Sequence, residues 1–192
     1  MDLPINNTAR RPTLTDLAIK YGCDKWFRHS YMPTYESLFA HRHVHRLLEV
    51  GIGYEGLMTP FVPFYVHGAS LKMWSEYWPN ANIYACDIRE DALVNEGRIK
   101  SWYADQSRPM DLERLVANCG GKLDVVIDDG SHEYEHQIIT ATALLPWVMP
   151  HGGVYVIEDT YKNKGVELAK MFGGELVVGT KTPDDCMVVV RR

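Results

Sequence analysis

A mostly parallel α/β sheet with helices on both faces, closed by an antiparallel C-terminal hairpin, is the fold class predicted by this 192-residue sequence. Two observations predict it. Short apolar runs rich in β-branched residues alternate with amphipathic stretches of helical length, the pattern of successive βα units. Near the C-terminus two such runs are separated only by KTPDD, a turn sequence with Pro183 and two aspartates.

The elements follow in order. Arg46 to Val50 (RLLEV) ends at Gly51, Asn82 to Cys86 (NIYAC) at Asp87, and Ile99 to Ala104 at Asp105. Leu123 to Ile127 (LDVVI) ends at Asp128 and Asp129, and Val154 to Ile157 (VYVI) at Glu158 and Asp159. In an open parallel sheet the carboxyl ends of the strands form the rim where ligands bind. Acids also end strands simply as turn and helix-cap residues, but five successive strands ending in Gly or acid concentrate chemistry on one rim. Ala69 to Trp78, Leu112 to Ala117 and Glu135 to Trp147 carry apolar residues at helical spacing and read as crossover helices, followed by a helix from about Gly165 to Phe172. Glu175 to Gly179 and Cys186 to Val190 form the hairpin. Gly56 to Gly68 (GLMTPFVPFYVHG) fits neither class, because two prolines break helix within an aromatic run. It is a lid over a pocket or a buried loop. Residues 1–45 are expected to be an N-terminal helical segment covering the site and 46–192 the core, within one domain.

Composition excludes several partners. Twenty Lys plus Arg against twenty-five Asp plus Glu give net charge −5 with no basic stripe, so nucleic acid and anionic membrane surfaces are not expected partners. No run reaches the ~20 apolar residues of a membrane span, and MDLPINNTARRP has no apolar stretch behind its arginines. A cytoplasmic location is expected. Cys23, Cys86, Cys119 and Cys186 form no C-x-x-C pair and read as small buried hydrophobes in a reducing compartment. His41, His43 and His45 superficially suggest zinc, but they lead directly into the first strand without a neighbouring cysteine or carboxylate.

Two motifs carry chemistry. In LLEVGIGYEG, Gly51, Gly53 and Gly56 match G-x-G-x-x-G formally, so spacing alone allows a nicotinamide cofactor. Glu49, expected to face the cleft, would repel a pyrophosphate and suits a cationic ligand such as S-adenosylmethionine. Asp87 would then bond ribose hydroxyls, or else cap a helix. In IDDGSHEYEH, two adjacent carboxylates and His132 suit a hard divalent cation with a base beside it, and VIEDT offers a second pair, Glu158 and Asp159. Carboxylates from both strands crowded on one rim need a cation to neutralise them. His132 is the residue best suited to acid or base work.

The combination LLEVGIG, GASLKMW, YWPNANIYACDI, ADQS, DVVIDDGSHEYEHQ and HGGVYVIEDT resembles the macrocin and mycinamicin sugar O-methyltransferase family, a branch of the class I S-adenosylmethionine-dependent methyltransferases. YGCDKWFRHSYMPTYESLF, Tyr21 to Phe39, is similar to the segment that precedes the sheet in that family. The resemblance covers about Leu17 to Thr160. It implies a Rossmann-like seven-strand methyltransferase sheet whose last strand is antiparallel. It further implies Mg2+ held by Asp129, Glu158 and Asp159, His132 as catalytic base, and cofactor contacts at Glu49, Gly51, Gly53, Asp87, Asp105, Gln106 and Asp128. The expected acceptor is a hydroxylated small molecule such as a natural-product sugar, and a homodimer is the expected assembly. A catechol-type methyltransferase, a nicotinamide-dependent oxidoreductase and a non-catalytic cofactor-binding module are the alternatives.

Overall fold

A computed structural model of the chain describes residues 11–192. A seven-stranded sheet runs in the order β3-β2-β1-β4-β5-β7-β6. Its strands are β1 (Arg46–Val50), β2 (Asn82–Asp87), β3 (Ile99–Tyr103), β4 (Val125–Asp128), β5 (Val154–Ile157), β6 (Glu175–Val178) and β7 (Cys186–Arg191). The first five are mutually parallel, while β7 runs antiparallel to both β5 and β6. The predicted hairpin therefore inserts its second strand beside β5 and leaves β6 at the edge. The fourth strand starts two residues later than the sequence predicts. Leu123 makes only an isolated bridge to Val148, and the Asp124 carboxylate accepts from the His45 and Arg46 amides at the entrance to β1.

Alternation along buried strands divides the core in two. Leu47, Ile83, Ile127, Val156 and Val189 face a layer made of α1 (Leu14–Tyr21), α2 (Asp24–Phe27), α3 (Met32–Phe39) and, beyond the short α4 (Glu55–Met58), α5 (Ala69–Tyr77). Leu48, Val126, Tyr155, Ile157 and Val188 face α6 (Pro109–Asn118), α7 (Tyr134–Leu144) and α8 (Lys162–Phe172). Helix α6 begins three residues before its predicted start because Pro109 occupies a first-turn position where no amide partner is needed. Helix α7 passes into a 3-10 turn at Leu145–Trp147, where Pro146 ends the α geometry. Helix α8 runs through Gly165, whose missing side chain leaves room for Leu176: a Cβ there would lie 2.5 Å from Leu176 Cδ1.

The first layer is aromatic at its centre. Tyr35, Phe39, Trp74 and Trp78 pack with ring centroids between 4.9 and 5.9 Å apart. All four cysteines are buried and free, as expected. No helix among the described residues is long and apolar enough to cross a membrane.

The hairpin turn is tied to the connection between α2 and α3 through Asp185. Its carboxylate accepts from the Ser30 amide (2.9 Å) and hydroxyl (2.6 Å), the Thr180 amide (2.7 Å) and the Lys181 amide (2.8 Å). Burial opposes ionisation of Asp185, but these donors outweigh it and hold its carboxyl below the usual range. Replacing Asp185 with Ala strands several donors and is expected to cost roughly 3 kcal/mol at pH 7 in urea unfolding. Because the folded-state pKa is depressed, that contribution is present above about pH 4 and disappears as pH falls further. A gap between wild type and variant that stays constant on acidification would contradict the assignment.

Candidate active site

A cavity of about 430 Å3 opens at the carboxyl ends of β1, β2 and β4. Its first wall is the glycine loop after β1. Gly51 has φ +90°, and a Cβ there would lie 2.0 Å from the Asp129 carbonyl oxygen, so only glycine lets the β1 and β4 ends approach this closely. Asp87 Oδ2 accepts from the Ile52 (2.9 Å) and Gly53 (3.3 Å) amides, and its Oδ1 accepts from the Arg89 amide (2.9 Å). Asp87 thus shapes the loop and lines the cavity at the same time. Gly51, Gly53, Asp105 and Gln106 also line it. Gln106 bridges elements, donating to Asp128 Oδ1 and Thr140 Oγ1 (both 3.0 Å) while accepting from the Ser131 amide (2.6 Å).

The aromatic segment 56–68 forms another wall. Leu57, Met58, Phe61 and Tyr65 line the cavity, and Phe61 and Phe64 remain exposed. Arg28 lies 4.3 Å over the Phe61 ring, and Phe27 meets Phe64 edge-on at 5.0 Å. The segment is a cavity wall held by the α2 end, and the buried-loop alternative is discarded.

Beside the glycine loop, Asp129, His132 and Asp159 converge, offering ligand atoms that all lie within 4.8 Å of one another. His132 Nε2 is 3.3 Å from Asp129 Oδ1, and its Nδ1 is 3.6 Å from Asp159 Oδ2. Burial alone would lower the imidazole pKa, but the bond to Asp129 and the charges of Asp159, Asp129 and Asp128 raise it to about 9. His136 also lines the cavity and meets the Ser131 hydroxyl at 2.9 Å. Among the described residues this is the one cluster of metal-ligating type; His41, His43 and His45 form none.

Three expected site residues lie elsewhere. Glu49 does not face the cleft: strand alternation points it into the α1–α3 layer, where it is fully buried and accepts from Trp74 Nε1 at 3.0 Å. Asp128 points through the opposite face toward α7 and is bonded to Gln106, so it does not contact the cavity, and burial pushes its carboxyl up to about 7. Glu158 shares the face of Glu49. Its carboxylate accepts from the Tyr35 hydroxyl and from Lys25 Nζ, and it too is absent from the cavity wall. Glu158 thus lies behind Asp129, its carboxylate turned to Lys25 and Tyr35.

The residue that sequence reasoning missed is Lys25. Its ammonium, fully buried, lies 2.5 Å from Asp129 Oδ2, 2.5 Å from Glu158 Oε2 and 3.2 Å from Glu49 Oε1. Desolvation would lower its pKa, but the Asp129, Glu158 and Glu49 charges more than reverse this and hold it well above the ordinary lysine value. The same ammonium, with His132, holds Asp129 below the usual carboxylate range against the opposing effect of burial. Part of the crowded negative charge is therefore neutralised by the protein itself.

No family model matches the chain. Curated relatives do. It is 38% identical over 148 residues to the 8-demethyl-8-alpha-L-rhamnosyl tetracenomycin-C 2'-O-methyltransferase of Streptomyces olivaceus, covering 77% of this chain and 38% of that protein. It is 38% identical over 156 residues to the mycinamicin VI 2''-O-methyltransferase of Micromonospora griseorubida, covering 80% of this chain and 37% of that protein. A solved structure of MycE methyltransferase from the mycinamycin biosynthetic pathway, in complex with Mg, SAH and mycinamycin VI, superposes with TM-score 0.68 at 37% identity, covering 78% of this chain and 40% of that one. The chain has the fold of the class I S-adenosylmethionine-dependent methyltransferases. Within that class it resembles the macrocin and mycinamicin sugar O-methyltransferases, and its seven-stranded sheet is the Rossmann-like methyltransferase sheet that the resemblance implies. The chain spans about two fifths of the length of the curated relatives it matches.

Proposed function

We propose that this chain is the S-adenosylmethionine-binding core of an O-methyltransferase that acts, with Mg2+, on a hydroxyl of a natural-product sugar. The observation that carries this reading is the layout of one cavity: a glycine loop with Asp87, Asp105 and Gln106 at one end, and Asp129, His132 and Asp159 at the other. The curated relatives named above are O-methyltransferases of a rhamnosyl tetracenomycin and of mycinamicin VI, and the matched structure holds Mg and SAH.

The cofactor end fits a nucleoside with a cationic tail. The Gly51 backbone permits close approach, Asp87 and Asp105 offer acceptors to ribose hydroxyls, and no lysine among the described residues lines the cavity to hold a pyrophosphate. The acidic end fits a hard cation, since Asp129 and Asp159 supply oxygen ligands. A bound ion there would polarise the acceptor hydroxyl and orient it for transfer. Asp129 and Asp159 flank His132 and fix its ring, so that one imidazole nitrogen can take the hydroxyl proton as the oxygen attacks the sulfonium methyl carbon and the C–S bond breaks. Residues 11–45 supply Asp24 and Arg28 to the cavity wall and act as its cover, with residues 1–10 outside the described part.

Two outcomes test the reading. The His132→Ala variant should lose about 10²- to 10⁴-fold in turnover while calorimetric S-adenosylhomocysteine affinity and Mn2+ affinity stay near wild type. Near-normal turnover would remove His132 as the base, and loss of Mn2+ binding would make it a ligand instead. The pH profile gives a second test. An imidazole with pKa raised to about 9 stays protonated at neutrality, so without a divalent cation the rate should climb only as pH rises through that value. Mg2+, by taking up the charge of the two aspartates, should move this limb toward neutral pH. The same limb with EDTA and with Mg2+ would contradict the proposal.

A further inference from the structure

Asp159 is one of four non-glycine residues with positive φ among those described, at +51°, and it closes the acidic end of the cavity directly after β5. A left-handed backbone at a non-glycine residue persists only where its surroundings hold it. Those surroundings come from the connection between α2 and α3. Tyr31, 2% exposed, donates its hydroxyl proton to Asp159 Oδ1 at 2.6 Å, and the same hydroxyl oxygen accepts from the Asp159 amide at 3.2 Å. One hydroxyl therefore fixes both the side chain and the main chain of one residue. Its other polar neighbours, the carbonyls of Cys186 (3.3 Å) and Asp184 (3.4 Å), are more distant than the carboxylate.

The Tyr31 ring is itself braced. His29 stacks on it with centroids 4.8 Å apart and planes 9° from parallel. The His29 ring, 1% exposed, sits between two carboxylates, with Nε2 3.3 Å from Asp159 Oδ2 and Nδ1 3.6 Å from Asp185 Oδ1. Neither nitrogen makes an aligned hydrogen bond, so the ring acts as a spacer between Asp159 and the hairpin anchor Asp185.

We propose that Tyr31, with the His29 ring stacked on it, is the positioning residue for the acidic end of the cavity: it commits Asp159 Oδ1 to the protein and leaves Oδ2 turned toward His132 and a divalent cation. This rests on the cation reading given under Proposed function. Tyr31 does not line the cavity and acts on it through Asp159. Residues supporting metal ligands in this way typically change metal affinity by about 10- to 100-fold when removed.

The test compares Tyr31→Phe with wild type and with Tyr155→Phe, a buried tyrosine whose hydroxyl makes no hydrogen bond. Mn2+ affinity is read by electron paramagnetic resonance, S-adenosylhomocysteine affinity by calorimetry, and the Asp159 backbone and carboxylate by crystallography of Tyr31→Phe. Expected are a loss of about tenfold or more in Mn2+ affinity for Tyr31→Phe, little change for Tyr155→Phe, unchanged S-adenosylhomocysteine binding, and an Asp159 that leaves its left-handed conformation. Unchanged Mn2+ affinity, or an equal loss in Tyr155→Phe, would overturn the proposal. Should wild type bind no Mn2+, the cation reading falls separately and the crystal structure alone decides: an Asp159 in the same pose without the hydroxyl refutes the positioning role. If Tyr31→Phe does not fold, the His29 pair takes its place, with His29→Phe expected to keep Mn2+ affinity and His29→Ala to lose it. The reverse order would refute the brace.

Discussion

The site depends on a buried ammonium. Lys25 lies in contact range of Glu49, Asp129 and Glu158, three carboxylates that the sheet brings to one place, of which Glu49 and Glu158 are buried in the protein interior while Asp129 reaches the cavity. Burying one cation among acids is tolerable only because each charge finds the other; leaving such acids without their partner costs roughly 3–5 kcal/mol. One ammonium does not balance three carboxylates. Burial accordingly pushes Glu49 up to about 7 in spite of Lys25, and pushes Glu158 up as well. The aromatic layer completes the arrangement, with Trp74 donating to Glu49 and Tyr35 to Glu158.

This division of labour separates an inner acidic set from an outer one. Glu49 and Glu158 face Lys25 and the aromatic cluster, away from the cavity. Asp129 belongs to both sets: Oδ2 meets Lys25 and Oδ1 meets His132. Asp159, held from behind by Tyr31, completes the outer set. The glycine loop and the acidic cluster are adjacent because β1 and β4 pair in register, Val50 against Asp128, and because Gly51 presses on the Asp129 carbonyl. The glycine loop and the acidic cluster are thus parts of one rim.

The strands were legible because buried parallel strands are short β-branched runs with abrupt ends, and β1 and β5 coincide with their predicted bounds. The hairpin was legible from its turn residues. Less legible was which way each rim acid points. Asp128 and Asp129 are adjacent, yet alternation sends one toward α7 and the other to the cavity, and it sends Glu49 and Glu158 inward together. That parity is present in the sequence, but its meaning requires knowing what covers each face. Lys25 left no signal of its own, since lysines are rarely buried and nothing in YGCDKW marks this one as an internal counter-ion. His29, Tyr31 and Tyr35 were likewise hidden, because their partners lie more than a hundred residues away.

The most direct test is the ionisation state of the Lys25 side chain, followed by nitrogen-15 NMR of the lysine Nζ groups in the folded protein as the pH is raised. The account predicts one protected ammonium signal, lost in Lys25→Met, that keeps its charged shift beyond the ordinary lysine value of 10.5. A Lys25 that loses its proton at or below that value, or that exchanges with water like a surface lysine, would contradict the claim that it neutralises the acids beneath the cavity.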